Sequence, residues 1–270
     1  MRIGLITDKP GHPLLSAAAG LLRAAGHVVE PLDPDAPDPG TPHPCDPAPA
    51  DVYLLKAHTP NALDLARRLE GLGAPVVNSA AATTLCQDRT LMAELAVRAG
   101  LPFAGTRTFG ALARWADGAS LSAPVVVKSR HSRRRDLVAL VEGAAALKEL
   151  AGTWPDEPVV VQDFAPNSGW DHKLWAVGDR VFAALRRSEL SPGGRGPTLP
   201  LPRIPAGWAE LTLRVGEVFS LDVYGVDLIA TADGSPLIVD VNAFPGIREQ
   251  PGAPEALAGL ALKRAGRPAG

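Results

Sequence analysis

Cysteine is almost missing from this chain: 270 residues hold two, Cys45 and Cys86. Their separation has no metal-type spacing, and two free thiols rather than a disulfide are expected. Charge of one sign is missing as well. The net charge is −2, which leaves no global pull toward nucleic acid or an anionic membrane. No apolar run approaches the ~20 residues of a membrane span, and the opening MRIGLITDKPGH turns polar too soon for a signal peptide. A cytoplasmic protein without nucleic-acid or membrane partners is therefore expected. No Gly-x-Gly-x-x-Gly follows the first apolar run, so the dinucleotide fingerprint is absent, and no internal repeat is found.

Against these absences, 46% of the chain is hydrophobic, enough for a substantial core divided into two or three lobes. Arg2 to Thr7 reads as a strand, Leu14 to Ala25 as a helix and the stretch near Val28 as a second strand, an opening that suggests a small parallel, doubly wound sheet. Residues 33–50, dense in proline, form neither helix nor central strand and read as an exposed loop within this lobe. The strand Asp51 to Lys56 resumes the alternation, followed by a helix over Ala62 to Leu72 and a strand over Pro75 to Val77. Asp88 opens a helix with apolar positions Leu91, Leu95 and Val97, ended by Gly100. Ala123 to Lys128 is a strand ending in lysine, Gly143 to Leu150 a helix and Val159 to Val161 a buried strand. A hairpin turns at Gly178-Asp179, and its alternation puts Asp171, Lys173 and Trp175 on one face. Leu190 to Gly207 is a Gly/Pro-rich loop. Helices over Trp208 to Phe219 and Pro254 to Ala265 bracket the last hairpin.

That hairpin, Tyr224 to Arg248, is the organising stretch. Asp233-Gly234 between apolar, β-branched runs is a strong short-range turn signal. A two-residue turn pairs Ala232 with Ser235 and, counted back, puts Asp227 opposite Asp240 with Asn242 on the same face. Val226, Leu228, Val239 and Val241 then take the core side. Carboxylates facing each other repel, so something positive is expected between them. Two acids and an amide oxygen suit a hard divalent cation, Mg²⁺ above all.

Gly-Val-Asp-Leu-Ile followed by Ile-Val-Asp-Val-Asn-Ala-Phe-Pro-Gly resembles the metal-binding end of the ATP-grasp superfamily. The branches most similar are the ribosomal-protein glutamate-ligase-like and inositol-polyphosphate-kinase-like enzymes. The resemblance runs from about residue 51 onward and is weakest over residues 1–50. It implies an ATP-grasp fold, α/β with α+β character in its C-terminal lobes. The lobes are a pre-ATP-grasp lobe (1–85), a central lobe (86–163) and a C-terminal lobe (164–270). It implies that Asp227, Asp240 and Asn242 hold Mg²⁺, in two sites, with Mn²⁺ as an alternative, that Arg89, Lys128 and Lys173 serve the phosphates of ATP, and that Asp171 is among the residues binding the cofactor. Gln162, Asp163 and Phe164 match the hinge against which adenine lies.

Arg187 is the candidate for stabilising developing charge, with Lys173 beside it, while Arg186, Lys56, His131 and Gly246 are candidates for substrate. The loop after Lys128, SRHSRRRD, departs from the ligase pattern, which has glycines there. Its arginines, Arg130, Arg133, Arg134 and Arg135, instead offer side-chain cover for phosphate or carboxylate. Taken alone, each of these charges reads as a solvated surface group.

Two enzyme classes follow from the resemblance. The preferred one is a ligase joining a carboxylate to an amine through an acyl phosphate, releasing ADP and phosphate. The alternatives are a small-molecule kinase of inositol-phosphate type and a nucleotide sensor without turnover. The substrate is expected to be a small molecule or peptide, anionic if the arginines grip it. A homodimer is compatible with everything above.

Overall fold

The computed structural model describes residues 1–35, 50–191, 194, 196 and 198–266. In chain order these form β1 (Arg2–Ile6), α1 (Pro13–Ala24), β2 (Val28–Leu32), β3 (Val52–Leu55), α2 (Pro60–Gly71), β4 (Val76–Val77), α3 (Ala80–Gln87) and α4 (Arg89–Arg98). Then come β5 (Thr106–Phe109), α5 (Leu112–Gly118), β6 (Val125–Ser129), β7 (Val138–Val141), α6 (Ala144–Thr153) and β8 (Val159–Asp163). The last third holds β9 (Trp170–Val177), β10 (Arg180–Arg187), β11 (Thr198–Pro200), α7 (Trp208–Phe219), β12 (Val223–Ala230), β13 (Pro236–Ala243) and α8 (Ala253–Ala265). Among these residues no helix is long and apolar enough to cross a membrane.

Three sheets result, ordered β2-β1-β3-β4, β5-β8-β6-β7 and β11-β10-β9-β12-β13. The first is parallel, as the β–α–β opening predicts, and β3 is buried along its whole length. The other two are antiparallel. The fold is thus mixed α/β. Most of the expected proline-dense loop, with Cys45, lies outside the described residues, and Cys86 is a buried free thiol. Within the expected 190–207 loop, Thr198–Pro200 adds a short edge strand along β10.

Two local readings are corrected. Helix α4 is capped by the Asp88 carboxylate, which accepts from Thr90 N and Leu91 N. Its inward face, however, is Met92, Ala93 and Ala96, while Leu91 and Val97 are exposed at 42% and 62%. The helix packs against α3 and α7, and Arg89 at its first position is buried with that face.

The second correction concerns the last hairpin. Its turn is longer than two residues: Thr231 N donates to Ser235 O, and Gly234, at φ 83°, occupies the left-handed region. Asp233 braces this turn by accepting from Thr231 Oγ1, Ser235 N and Ser235 Oγ. That shifts the register by one residue near the turn, pairing Leu228 with Ile238. A bulge next to Asp227 restores it, so Asp227 does face Asp240. The predicted pairing holds through two compensating departures. The core side is therefore Val226, Leu228, Ile238 and Val241, and Val239 turns toward the opposite face.

Further contacts tie distant segments of the chain together. Buried Asn78, beyond β4, donates to Val223 O at 2.7 Å and accepts from Asp222 N and Val223 N. Helix α8 returns to pack on α1 and β3, so the core built on β1, α1 and β3 includes Phe244, Ile247 and Leu257.

Candidate active site

Strand alternation sets the site. In β6, Val125 and Val127 enter a core shared with Val159 and Val161 of β8, which sends Val126 and Lys128 to the other face. That face and the polar face of β9, β12 and β13 enclose a cleft of about 960 Å³. Asp227 and Asp240 stand opposite each other within it, and Asn242 lies on the same face, paired with Gly225.

The positive charge expected between the acids is supplied by protein side chains. Lys173 Nζ lies 2.6 Å from Asp227 Oδ2 and 3.4 Å from Asp171 Oδ2. Arg89 Nη2 lies 3.3 Å from Asp240 Oδ2, and Nη1 donates to Asp136 at 2.7 Å and to Ser129 O at 2.9 Å. Lys128 Nζ donates to Val239 O at 2.7 Å. Arg89, Lys128 and Lys173 are all buried, 5–6% exposed.

Burial by itself would raise the Asp240 carboxyl, but Arg89, Lys128 and Lys173 around it bring it below its ordinary value. Burial pushes the Lys128 ammonium down, opposed by Asp240 and Asp227. Burial would lower Arg89 too, yet Asp240 and Asp136 outweigh it. The site is a closely paired set of opposite charges, within which Asp240 is held ionised.

Whether a divalent ion suits these residues is a question of donor chemistry. Two carboxylates and an amide oxygen on one face are the hard oxygen ligands such an ion takes. Among the described residues no three His, Cys, Asp or Glu side chains are grouped to hold a metal, so the set rests on Asn242 as its third member.

The cleft brings most of the sequence candidates together: Arg89, Lys128, Gln162, Asp163, Phe164, Asp171, Lys173, Arg186, Arg187, Asp227, Asp240, Asn242 and Gly246 all line it. Gln162 is held by Thr106 Oγ1 at 3.2 Å, while Asp163, largely exposed, pairs with Arg107. Arg186 is directly across from Asp171 in the β9–β10 register and so shares its face. The stem of Arg187 packs against Gly196, where a Cβ would come within 2.8 Å.

Two candidates lie elsewhere. His131 is exposed and bridges to Asp88 through the backbone. Lys56 sits outside the cleft, its Nζ 6.0 Å from the centre of the Phe244 ring.

The basic loop divides. Arg130 is engaged by Asp88 and Arg133 by both carboxylate oxygens of Glu157, so neither is free to cover a ligand as expected. Arg135 alone of the four lines the cleft, with its backbone in the left-handed region at φ 62°. Sequence reading also missed the apolar wall of Val126, Val138, Leu140, Ile229 and Leu237. A period-two pattern in β7 carries that signal, but β7 follows an arginine run that masks where the strand begins.

A family model described as a RimK-like ATP-grasp domain matches residues 107–252. The human N-acetylaspartylglutamate synthase A is 27% identical over 215 residues, 73% of this chain and 54% of that protein. A probable alpha-L-glutamate ligase 2 of Hahella chejuensis is 27% identical over 197 residues, 67% of this chain and 63% of that protein. The chain thus spans between about half and just under two thirds of these curated relatives. Among solved structures, a RimK domain protein ATP-grasp from Sphaerobacter thermophilus superposes with a TM-score of 0.77 at 25% identity, covering 97% of this chain and 100% of that one.

Proposed function

The chain belongs to the RimK-like ATP-grasp family, and from that premise we propose that it is an ATP-dependent ligase joining a carboxylate to an amine. Relatives named as glutamate ligases and synthases support this reading over phosphotransfer to a hydroxyl or nucleotide sensing without turnover. They also suggest glutamate as one partner in the new bond. The proposed lobes are residues 1–85, 86–163 and 164–270, with the nucleotide between the second and third.

The observation that carries the reading is the juxtaposition of Asp227, Asp240 and Asn242 with Lys128, Lys173 and Arg89 around one cleft. In this proposal the apolar wall of Val126, Leu140 and Ile229, with Phe164, receives adenine. Gln162 and Asp163 mark the hinge where the base meets backbone. Lys128, Arg89 and Lys173 receive the phosphates, as compact charges suited to that task.

Asp227, Asp240 and Asn242 would hold the divalent ion; when bound, it neutralises charge on the phosphate oxygens. A carboxylate oxygen of one substrate attacks the γ-phosphorus and ADP leaves. The amine of the second then attacks the carbonyl carbon, loses a proton, and phosphate departs with the bonding pair. Arg186 and Arg187, at the end of β10, are placed to stabilise charge developing on the transferring group, as pre-oriented donors do.

Incubation with Mg-ATP, L-glutamate and a panel of N-acylated amino acids and peptides, followed by assay of ADP, phosphate and product mass, tests this. An amide product with equimolar ADP and phosphate is expected. A phosphorylated alcohol, or tight ATP binding without ADP under every mixture, would overturn it.

A further inference from the structure

Beyond the cleft, at the C-terminal ends of β1 and β3, stands a group of basic side chains that the nucleotide chemistry does not use. Open α/β sheets place ligands at these strand ends. Lys56 follows β3 directly, His12 is the residue before α1, and Arg248 and Gly246 follow β13. A Cβ at Gly246 would lie 3.3 Å from His12 Nε2 and 4.0 Å from Arg248 Nε, so imidazole and guanidinium converge on one point. Because Gly246 also lines the cleft, that point is the junction between cluster and cleft.

Cations outnumber acids in this cluster. Among the described residues Lys56 and Arg248 enter no ion pair, and Asp8, the acid that acts on Lys56, also pairs with Lys9 at 3.6 Å. His12 and His58 each keep a buried ring nitrogen, Nδ1 and Nε2 respectively, with no hydrogen-bond partner among the described residues. Helix α1 begins at this spot with no side-chain cap and no acid in its first turn, which leaves its positive end uncompensated. Burial, then the charges of Lys56, Arg248 and Lys9, lower His12; burial likewise lowers Lys56, against the opposing charge of Asp8. Cations set against their mutual repulsion, beside imidazole nitrogens without a partner, are surroundings that an anion arriving at the Gly246 junction would relieve.

We infer that Lys56, Arg248 and His12 form the subsite for a carboxylate of the amine-bearing substrate, orienting its amine past Gly246 toward the cleft. The inference rests on the ligase reading and adds to it the location and charge of the acceptor site. Selection follows from chemistry. An acceptor whose carboxylate is replaced by an amide leaves the cations unpaired, whereas the acid satisfies them.

The test uses the full chain with Mg²⁺ and a non-hydrolysable ATP analogue. Calorimetric titrations with L-glutamate, L-glutamine and inorganic phosphate are run on wild type, Lys56→Met and Arg248→Gln, with circular dichroism checking that each variant is folded. Wild type should bind glutamate, and each variant should bind it about tenfold or more weakly with little change for the nucleotide. In ¹⁵N-histidine spectra, glutamate should shift the His12 ring signals of wild type. Wild-type affinity in both variants, preference for phosphate over glutamate, or an undisturbed His12 would overturn the subsite. The two readings separate. Amide formation with glutamate at an unchanged KM in Lys56→Met removes the subsite and spares the ligase. Glutamate binding that depends on Lys56, with no ligation under any mixture, removes the ligase and spares the subsite.

Discussion

Lys128 Nζ donates to the carbonyl of Val239, the residue beside the bulge in the last hairpin, at 2.7 Å. One bond thus ties the central sheet to the acid-bearing strand across the cleft. Replacing Lys128 by Met keeps the stem but leaves the half-buried carbonyl without its donor, which costs about 1–3 kcal/mol. Urea unfolding should show that loss, and calorimetry should show Mg-ATP affinity falling by roughly tenfold or more. Unchanged nucleotide affinity would remove Lys128 from the phosphate site.

Asp240 keeps its charge through Arg89, Lys128 and Lys173. Asp240→Asn should abolish ADP formation, by roughly a hundredfold or more, the scale on which lost transition-state electrostatics reads out. Arg89 retains Asp136 at 2.7 Å, so the variant should stay folded. Chelation with EDTA should stop turnover in wild type to the same extent, with recovery on adding Mg²⁺. Wild-type turnover in the variant would end the metal assignment.

The hairpin turn separates folding from chemistry. Asp233→Ala removes three acceptor contacts at an exposed site, and a small fall in stability is expected with ADP formation unchanged. Gly234→Ala meets open space but places Cβ on a residue at φ 83°, costing about 1–2 kcal/mol. Denaturant midpoints and initial rates measured on the same samples decide this. A fall in rate without a fall in midpoint would show that the turn does more than set register.

Burial, then Lys56, holds His58 down to about 4, partly offset by Asp8. The unfolded chain takes up a proton near pH 6.5 while the folded chain does not until about pH 4. This group contributes nothing to stability at neutral pH and works against folding as the pH falls through that window. Relative to His58→Gln, wild type should therefore lose stability between pH 6.5 and 4, on the order of 3 kcal/mol in full. Parallel stability curves for the two proteins would contradict the assignment.

By itself the sequence determined the periodic and the local. The apolar run APVVVK marks a strand that ends in Lys128, and the Asp-Gly signal marks a hairpin between the Asp227 and Asp240 strands. Asp88 as a cap needs only its own next turn. Family resemblance then attached roles to these positions. What tertiary structure decided was every relationship between distant segments and every departure from ideal register. Arg89 meets Asp240 across 151 residues of sequence. The bulge that exchanges Val239 for Ile238 on the core face compensates a turn longer than the one read, and neither departure is written in a hydrophobic pattern. Nor could the sequence divide the arginine run, since Arg130 and Arg133 are claimed by Asp88 and Glu157 while Arg135 is left to the cleft. The physical reason is the same in each case. Periodicity follows from backbone geometry one strand or turn at a time, whereas pairing of charges depends on which partners packing brings within a few ångströms.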